Sequence, residues 1–505
     1  MANLSDSEIC KFYEGQHVFI TGGTGFIGKL LIEKLLRSTK VAAIYLLIRP
    51  KKGKDVRTRC EELFRKEIFD KVRSQDPTFM ERVKVVESSG ANLGLSMSDH
   101  HELISTINVV FHVAANVHFF NDIKVAYDNN VGVTKQVIKL CKQMYNLKAL
   151  VYVSTAYSNS YLPSIDETVY DDVGFDHRKV ELLVNSPETK EKFTKRVLEK
   201  WSNTYEFSKA MAELLIDDTA KDLPVGIFRP SIVLCTHKDP LPGWTDSFGG
   251  PTLFIINMAL GFSRYICCDF ANNLDIVPGD MAVAALIASA WDVHRNYQNV
   301  PIISRKTIPI YNYVSSPDNP ITCGEFIRLN INVYGEFYPL SKCFWMPTIT
   351  SVPQTKLTNF FFSIAYHYIP GFFMDVISLL CFKKPTLVSN YRRFHKLKYH
   401  GECSYIRDWT FTNTNVKELW DCLNETDKTI FPFDIATVHW THYFHSYFRG
   451  LRSYLVKEPW DNLPSAKVKA IRLIFAHHAV LALLYFVGVG TLWKLLSACL
   501  VELTK

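Results

Sequence analysis

Tyr205 and Lys209 stand four residues apart in the run Asn203-Thr204-Tyr205-Glu206-Phe207-Ser208-Lys209. On a helix this spacing puts a phenol and an ammonium on one face, where the positive charge favours phenolate and draws the tyrosine's pKa towards neutrality. Such a pair can give a proton to a carbonyl oxygen. Tyr-x-x-x-Lys alone also describes an ordinary solvated helix face. Far upstream, however, the chain carries Thr21-Gly22-Gly23-Thr24-Gly25-Phe26-Ile27-Gly28, and together the two runs point to a nicotinamide-dependent oxidoreductase.

These residues need elements to hold them. The apolar run His17-Val18-Phe19-Ile20 reads as a buried strand, and Lys29-Leu30-Leu31-Ile32-Glu33-Lys34-Leu35-Leu36 has helical periodicity, so the glycines sit in a strand-turn-helix unit. There Gly22 permits the tight turn, Gly25 lets backbone approach a pyrophosphate, and Gly28 lets helix pack on strand, with the first helical amides facing the phosphates. A second strand, Ala43 to Ile48, ends at Arg49. A guanidinium there suits a 2′-phosphate, so NADPH is expected over NADH. Lys51, Lys52 and Lys54 either add positive potential or form a solvated loop. Further β-branched runs, Val109 to Ala115 and Leu150 to Thr155, alternate with helical stretches as far as about residue 295. That pattern predicts an α/β fold, a Rossmann-like doubly wound parallel sheet with ligands at the carboxyl ends of its strands. Ser154 and Thr155 fall at such an end, where a hydroxyl either bonds a substrate carbonyl beside Tyr205 or merely finishes a strand.

The composition narrows the remaining classes. The chain has 505 residues, 48% of them hydrophobic, which suffices for two or three domains with substantial cores and excludes disorder. A net charge of +7 without a dense basic block interleaved with aromatics excludes nucleic acid as a partner and suits an acidic ligand or a membrane surface. The 12 cysteines form no Cys-x-x-Cys pair; with Cys267 and Cys268 adjacent, metal-ligand spacing is missing, and reduced thiols and no metal are expected.

The first residues, Met1 to Glu8, have neither a basic start nor an apolar core, so no cleaved signal peptide is expected and the catalytic part is placed in the cytosol. Near the other end, Leu473 to Trp493 runs 21 residues without a formal charge, close to the roughly 20 needed to cross hydrocarbon. Lys467, Lys469 and Arg472 put the basic excess on the preceding side. The segment is expected to be a membrane anchor; a buried core helix is the alternative. His477 and His478 diverge by about 100° on a helix and read as interfacial residues, not as a metal clamp.

The first 300 residues resemble the extended short-chain dehydrogenase/reductases in the glycine loop, in His112-Val113-Ala114-Ala115, in Val153-Ser154-Thr155-Ala156-Tyr157, and in Tyr205 with Lys209. More narrowly the chain resembles the fatty acyl-CoA reductases, through Asn92-Leu93-Gly94-Leu95-Ser96, Lys200 to Tyr205, Arg229-Pro230-Ser231-Ile232-Val233 and Pro240-Leu241-Pro242-Gly243-Trp244. Ile369 to Asp375, Asp408-Trp409-Thr410-Phe411, Asp427 to Asp434, Trp440 to Phe444 and Gly450 to Tyr454 look like that family's male-sterility-type C-terminal domain. Three positions depart from the family: Val86-Glu87 where Gly-Asp is usual, Ser202 for proline, and Ala284 for asparagine.

The resemblance implies an NADPH-binding domain with a substrate subdomain over 1–300 and a mainly helical reductase domain over 355–457, ahead of the expected membrane segment over 473–493. It implies NADPH-dependent reduction of a long-chain acyl-CoA through aldehyde to primary alcohol, with release of CoA. Tyr205 would protonate the carbonyl oxygen, Lys209 would hold the ribose, and Thr155 or Ser154 would orient the carbonyl. The cofactor set would be Thr21, Gly22, Gly23, Thr24, Gly25, Phe26, Ile27, Gly28, Arg49, Ala114, Tyr205 and Lys209. Asn130 matches an asparagine that orders a relay water or packs structurally.

The aromatic stretch 359–382 is interrupted by Pro370, Gly371 and Asp375 and reads as a helix packed in a domain or lying on a membrane. Membrane lipid is thus an expected partner, with endoplasmic reticulum, peroxisome and lipid droplet all open. Oligomeric state is open too. The competing readings are an extended reductase of a sterol or other membrane carbonyl, and a catalytically silent scaffold binding NADPH or lipid.

Overall fold

Seven short runs rich in Val, Ile and Tyr form one parallel sheet: β1 (His17–Thr21), β2 (Ala43–Ile48), β3 (Val83–Glu87), β4 (Val109–His112), β5 (Ala149–Val153), β6 (Val225–Pro230) and β7 (Ile310–Tyr313). The computed structural model describes residues 4–503 except 52, 89–91, 120, 172–173, 267, 300–306, 347–349, 352–354 and 402–406, so Lys52, Cys267 and Lys505 lie outside the described residues. Spatially the strands run β7-β6-β5-β4-β1-β2-β3, with Val18 level with Val109 on one side and with Ile44 on the other. Every residue of β4, β5 and β6 is buried, as strands covered on both faces must be. The order reverses between β1 and β4, the point where doubly wound sheets open a crevice for ligands. The expected α/β class is the observed one.

Contacts divide the chain into two units built from interleaved segments. The first unit comprises Met1–Asp246, Ala271–Cys323 and Lys398–Tyr447. In it, helix α1 (Phe26–Ser38) follows the glycine loop, α2 (Thr204–Thr219) carries Tyr205 and Lys209, and α3 (Gly279–Asn299) packs on α1 and on β5 and β6. Phe207, Ala210 and Met211 of α2 join Val110, Leu150, Tyr152 and Ile227 of the sheet in one apolar cluster. Phe193, Val197 and Trp201, from the polar stretch before α2, enter the same cluster. The late segment is tied in as well: Thr410–Phe411 pairs in parallel with Ser164–Ile165, and the Trp409 indole donates to the Ser160 carbonyl at 3.0 Å.

The second unit comprises Ser247–Phe270, Gly324–Leu397 and Phe448–Lys505. Helix α4 is assembled from an α segment, Lys356–Ser363, a π turn, Ile364–Tyr368, and a second α segment, Ile369–Leu380; α5 is Leu387–Gly401 and α6 is Leu463–Leu503. Two stretches, Leu357–Leu380 and Trp460–Thr491, are long and apolar enough to cross a membrane. Buried Arg452 donates to the Pro339 carbonyl at 2.8 Å and pairs with Glu458 at 3.4 Å.

Candidate active site

The glycine loop is packed backbone against backbone. Gly22 has φ +78, and a Cβ there would stand 2.6 Å from the Ala114 nitrogen. A Cβ on Gly28 would stand 2.7 Å from the Gly23 Cα and closer still to the Gly22 carbonyl. The Gly25 amide donates to that carbonyl at 2.9 Å, and Gly25 caps α1 without a side chain, which leaves the first helical amides to an incoming anion. Gly23 and Gly28 are buried, while Thr24, Gly25, Phe26 and Ile27 form the partly open rim. This cradle fits a dinucleotide pyrophosphate. Phe26 stacks on buried Trp244 with ring centroids 5.7 Å apart, and the Lys29 ammonium donates to the Thr24 carbonyl at 2.8 Å and pairs with Asp246 at 3.1 Å. Arg49 is exposed just past β2, and its carbonyl accepts the Arg59 guanidinium, so a second guanidinium adjoins the end of that strand.

Asn203 opens α2, its side chain accepting the Glu206 amide at 2.9 Å, and the Thr204 hydroxyl donates to the Asn121 carbonyl at 3.1 Å. Tyr205 follows at once, partly exposed, its ring 5.9 Å from that of Phe119. Burial and the neighbouring Glu206 raise its pKa, so the side chain is a neutral phenol with a proton to give. This is opposite to the lowering expected from Lys209. The Lys209 ammonium donates to the Val153 carbonyl at 2.7 Å and lies 4.6 Å over the Tyr152 ring. Burial, opposed by Glu213, brings its pKa down to about 7. Desolvation therefore outweighs the helix-face spacing for both groups.

Of the two hydroxyls at the end of β5, Ser154 is turned away. It donates to the Glu213 carboxylate, which pairs with Arg229 at 2.6 Å in full burial. Arg229 in turn donates to the Asp166 and Thr168 carbonyls at 2.9 and 2.8 Å, fixing the chain beyond β5. Thr155 is buried, its oxygen accepting the Tyr157 amide at 3.3 Å. Glu213→Ala would leave the Arg229 charge buried and unpaired. It is expected to destabilise the protein by about 3–5 kcal/mol, read as a fall in the thermal midpoint.

One run of hydrogen bonds joins the glycine loop to α2. The Ala114 amide donates to the Thr21 hydroxyl at 3.2 Å, and that hydroxyl meets His112 Nδ1 at 2.7 Å. His112 Nε2 lies 2.9 Å from the Thr134 hydroxyl, which itself donates to the Asn130 carbonyl at 2.6 Å. Thr134 thus has its proton in use and accepts from Nε2–H, leaving Nδ1 to accept from Thr21. Burial, with Lys209 nearby, lowers the His112 pKa to about 3, so the ring is neutral as this tautomer requires. From the Asn130 side chain the amide donates to Ser208 at 2.8 Å, and Ser208 donates to the Tyr205 carbonyl at 2.8 Å. Asn130 also accepts the Asn116 amide at 2.8 Å, anchoring the loop after β4. Thr21 accordingly holds His112 with its side chain.

Sequence spacing did not reveal the roles of His112, Asn116, Phe119 or Glu213, because their partners Thr21, Asn130, Tyr205 and Arg229 lie between 14 and 91 residues away along the chain. The departures from the family pattern fall outside this run. Glu87 is exposed at the end of β3, Ser202 precedes the Asn203 cap, and Ala284 is buried on α3.

Family models described as male sterility protein match residues 20–286 and 366–458. Fatty acyl-CoA reductase wat of Drosophila melanogaster is 37% identical over 495 residues, covering 97% of this chain and 94% of that protein. Fatty acyl-CoA reductase 1 of Homo sapiens is 33% identical over 467 residues, covering 91% and 88%. Among solved structures, the terminal R domain of the myxalamid PKS-NRPS pathway superposes with a TM-score of 0.55 at 17% identity, covering 88% of this chain and 92% of that one. The reductase domain of a nonribosomal peptide synthetase from Mycobacterium tuberculosis gives 0.54 at 17% identity, covering 87% and 92%. At such identities these two structures bear on the fold alone.

Proposed function

The chain belongs to the fatty acyl-CoA reductase family, and we propose that it reduces a long-chain fatty acyl-CoA to the primary alcohol with two equivalents of NADPH. The hydrogen-bonded run from Thr21 to the Tyr205 backbone carries this reading, since it ties the cofactor cradle to the proton donor through Asn130. Gly22 to Gly28 and the first turn of α1 would hold the pyrophosphate, Ala114 would line the nicotinamide end, and Arg49 would meet the 2′-phosphate. The bound cofactor supplies hydride.

The chain's own groups supply the rest. Thr155 donates to the thioester carbonyl and orients it. Tyr205 donates to the same oxygen and delivers a proton as negative charge builds there. Lys209, with one donor on Val153, turns its others to the ribose and the phenol and supports the charge left on Tyr205. The hemithioacetal collapses with loss of CoA thiolate, which takes up a proton. The resulting aldehyde meets the same donors in a second reduction, so acyl-CoA, two NADPH and two protons become alcohol, CoA and two NADP⁺. Ser154 acts at one remove, keeping Glu213 and Arg229 together. Residues 473–493 anchor the protein, with the catalytic unit on the cytosolic side.

The test is product analysis by mass spectrometry after membranes bearing the full chain are mixed with NADPH and acyl-CoAs from medium to very long. Fatty alcohol supports the proposal; no aldehyde or alcohol at any length, with cofactor bound, would move the assignment to another membrane carbonyl or a silent scaffold.

Two further outcomes are expected. Arg49→Glu should cut the NADPH/NADH ratio of kcat/KM by about tenfold or more, the 2′-phosphate losing its cation and facing a carboxylate. NADPH affinity should also fall as pH rises above about 7. Lys209 is neutral there before binding and must take up a proton to meet the acidic cofactor, so affinity drops by up to about tenfold per pH unit. Calorimetry in buffers of different ionisation enthalpy reads that proton uptake, and Lys209→Met should abolish the pH dependence.

A further inference from the structure

Helix α4 is amphipathic in the inverse sense. His367, Gly371, Asp375 and Ser378, spaced three or four apart, share its inner face; of these His367 and Gly371 are buried. The opposite face carries Ile369, Phe372, Phe373, Val376, Ile377 and Leu380, exposed by 49%, 59%, 61%, 36%, 52% and 74%. A helix bordered by water would hide the second set and show the first.

The inner face is occupied by α5, and the contacts fix how the two helices run. Asp375 accepts the amides of Thr386, Leu387 and Val388, each at 2.9 Å, and so caps the start of α5. A Cβ on Gly371 would meet the Tyr391 ring at 3.0 Å, and His367 Nδ1 lies 2.9 Å from His395 Nε2. Falling numbers on α4 match rising numbers on α5, which makes an antiparallel hairpin closed at exposed Phe382, Lys383 and Lys384. Exposed Arg392 and Arg393 directly follow Tyr391 and so sit level with the middle of α4.

This arrangement separates two uses of the same apolar stretch. At 24 residues Leu357–Leu380 is long enough to cross hydrocarbon. Crossing would drag α5 with it and leave two guanidiniums at mid-membrane depth, where charges are strongly disfavoured. Lying flat sinks the apolar face among acyl chains and keeps Arg392, Arg393, Lys383 and Lys384 at the level of anionic headgroups. We propose that the α4–α5 hairpin is a monotopic element embedded in one leaflet of the bilayer, with the Ile369, Phe372, Phe373 and Leu380 face against lipid tails. The same unit carries a second exposed apolar stretch, Trp460–Thr491, which gives the hairpin a membrane to meet. The inference goes beyond the reductase reading and does not rest on it.

The full-length chain in sealed microsomes tests this with cysteine variants matched to the parent's thermal midpoint. In a background with Cys267, Cys403, Cys422 and Cys499 replaced by Ser, a membrane-impermeant maleimide added outside should modify native Cys381; with Cys381→Ser added, it should modify Thr355→Cys and Arg392→Cys. Phe372→Cys and Phe373→Cys should react about tenfold or more slowly, as sites sunk below the headgroups do. A bimane on Phe372→Cys should be quenched by bromine on lipid tails, and one on Arg392→Cys should not. Modification of Thr355→Cys and Cys381 from opposite sides would establish a true span and overturn the proposal. Rapid reaction at Phe372→Cys without quenching would make the face a water-exposed surface. A disulfide between two Phe372→Cys chains without quenching would assign the face to a second copy.

Discussion

Tyr205→Phe is expected to lower fatty alcohol formation by about 10²- to 10⁴-fold, the range of a lost general acid, while NADPH binding stays within a few-fold of the parent. The substitution removes one hydroxyl and keeps the ring that faces Phe119 at 5.9 Å. It leaves the tie that positions this turn of α2 intact, because Ser208 donates to the Tyr205 backbone carbonyl and not to the side chain. A folded, cofactor-binding, inactive variant is therefore the outcome that assigns proton delivery to the phenol. Rate measurements on acyl-CoA and on free fatty aldehyde separate the two reductions, and both should fall if one donor serves both steps. Retention of either rate would place the donor for that step elsewhere, with Thr155 the next group to test.

Gly28→Ala should abolish cofactor binding and activity together. A methyl group there would lie 2.7 Å from the Gly23 Cα and press on the Gly22 carbonyl, both backbone, so no side-chain rotation can make room. Either α1 moves off β1 or the turn opens, and each displaces the amides meant for the pyrophosphate. The expected loss in NADPH affinity is at least about 100-fold, the cost of spoiling several charge-assisted hydrogen bonds at once. The thermal midpoint should fall as well, by the several degrees that about 2 kcal/mol of overpacking implies. Gly335→Ala is the control: its Cβ would meet nothing within 4 Å on a helix of the other unit, so binding should not change. Fluorescence titration with NADPH, read beside thermal unfolding of both variants, distinguishes a local cradle from general fragility.

The fold class was legible in advance because a parallel sheet buried on both faces demands continuous apolar strands, and β1, β2, β4 and β5 are such runs in the chain itself. The glycines were equally legible, since positive φ at Gly22 and backbone contact at Gly28 exclude other residues. Arg49 is picked out in the sequence by its place just past β2, whereas its neighbour Arg59 is not, because ten residues of turn and helix separate them. Ser154 and Thr155 looked equivalent at the end of one strand. Successive side chains point to opposite faces, and only the position of Glu213 on α2 decides which hydroxyl is drawn away.

Sequence by itself determined the strand-turn-helix cradle, the tyrosine and lysine on one helix, the family, and the two apolar stretches of the second half, because each is written in local spacing or composition. Tertiary structure alone decided that Lys209 reaches Val153, that His112 and Asn130 connect the cradle to α2, and that residues 407–447 return to the parallel-sheet unit. It also decided that the apolar face of α4 points outward, since hydrophobicity records how much greasy surface a helix has while only its partner α5 shows which side is covered. Contacts between residues far apart in the chain, and the desolvation that sets charge, depend on which atoms meet, and local spacing does not carry that information.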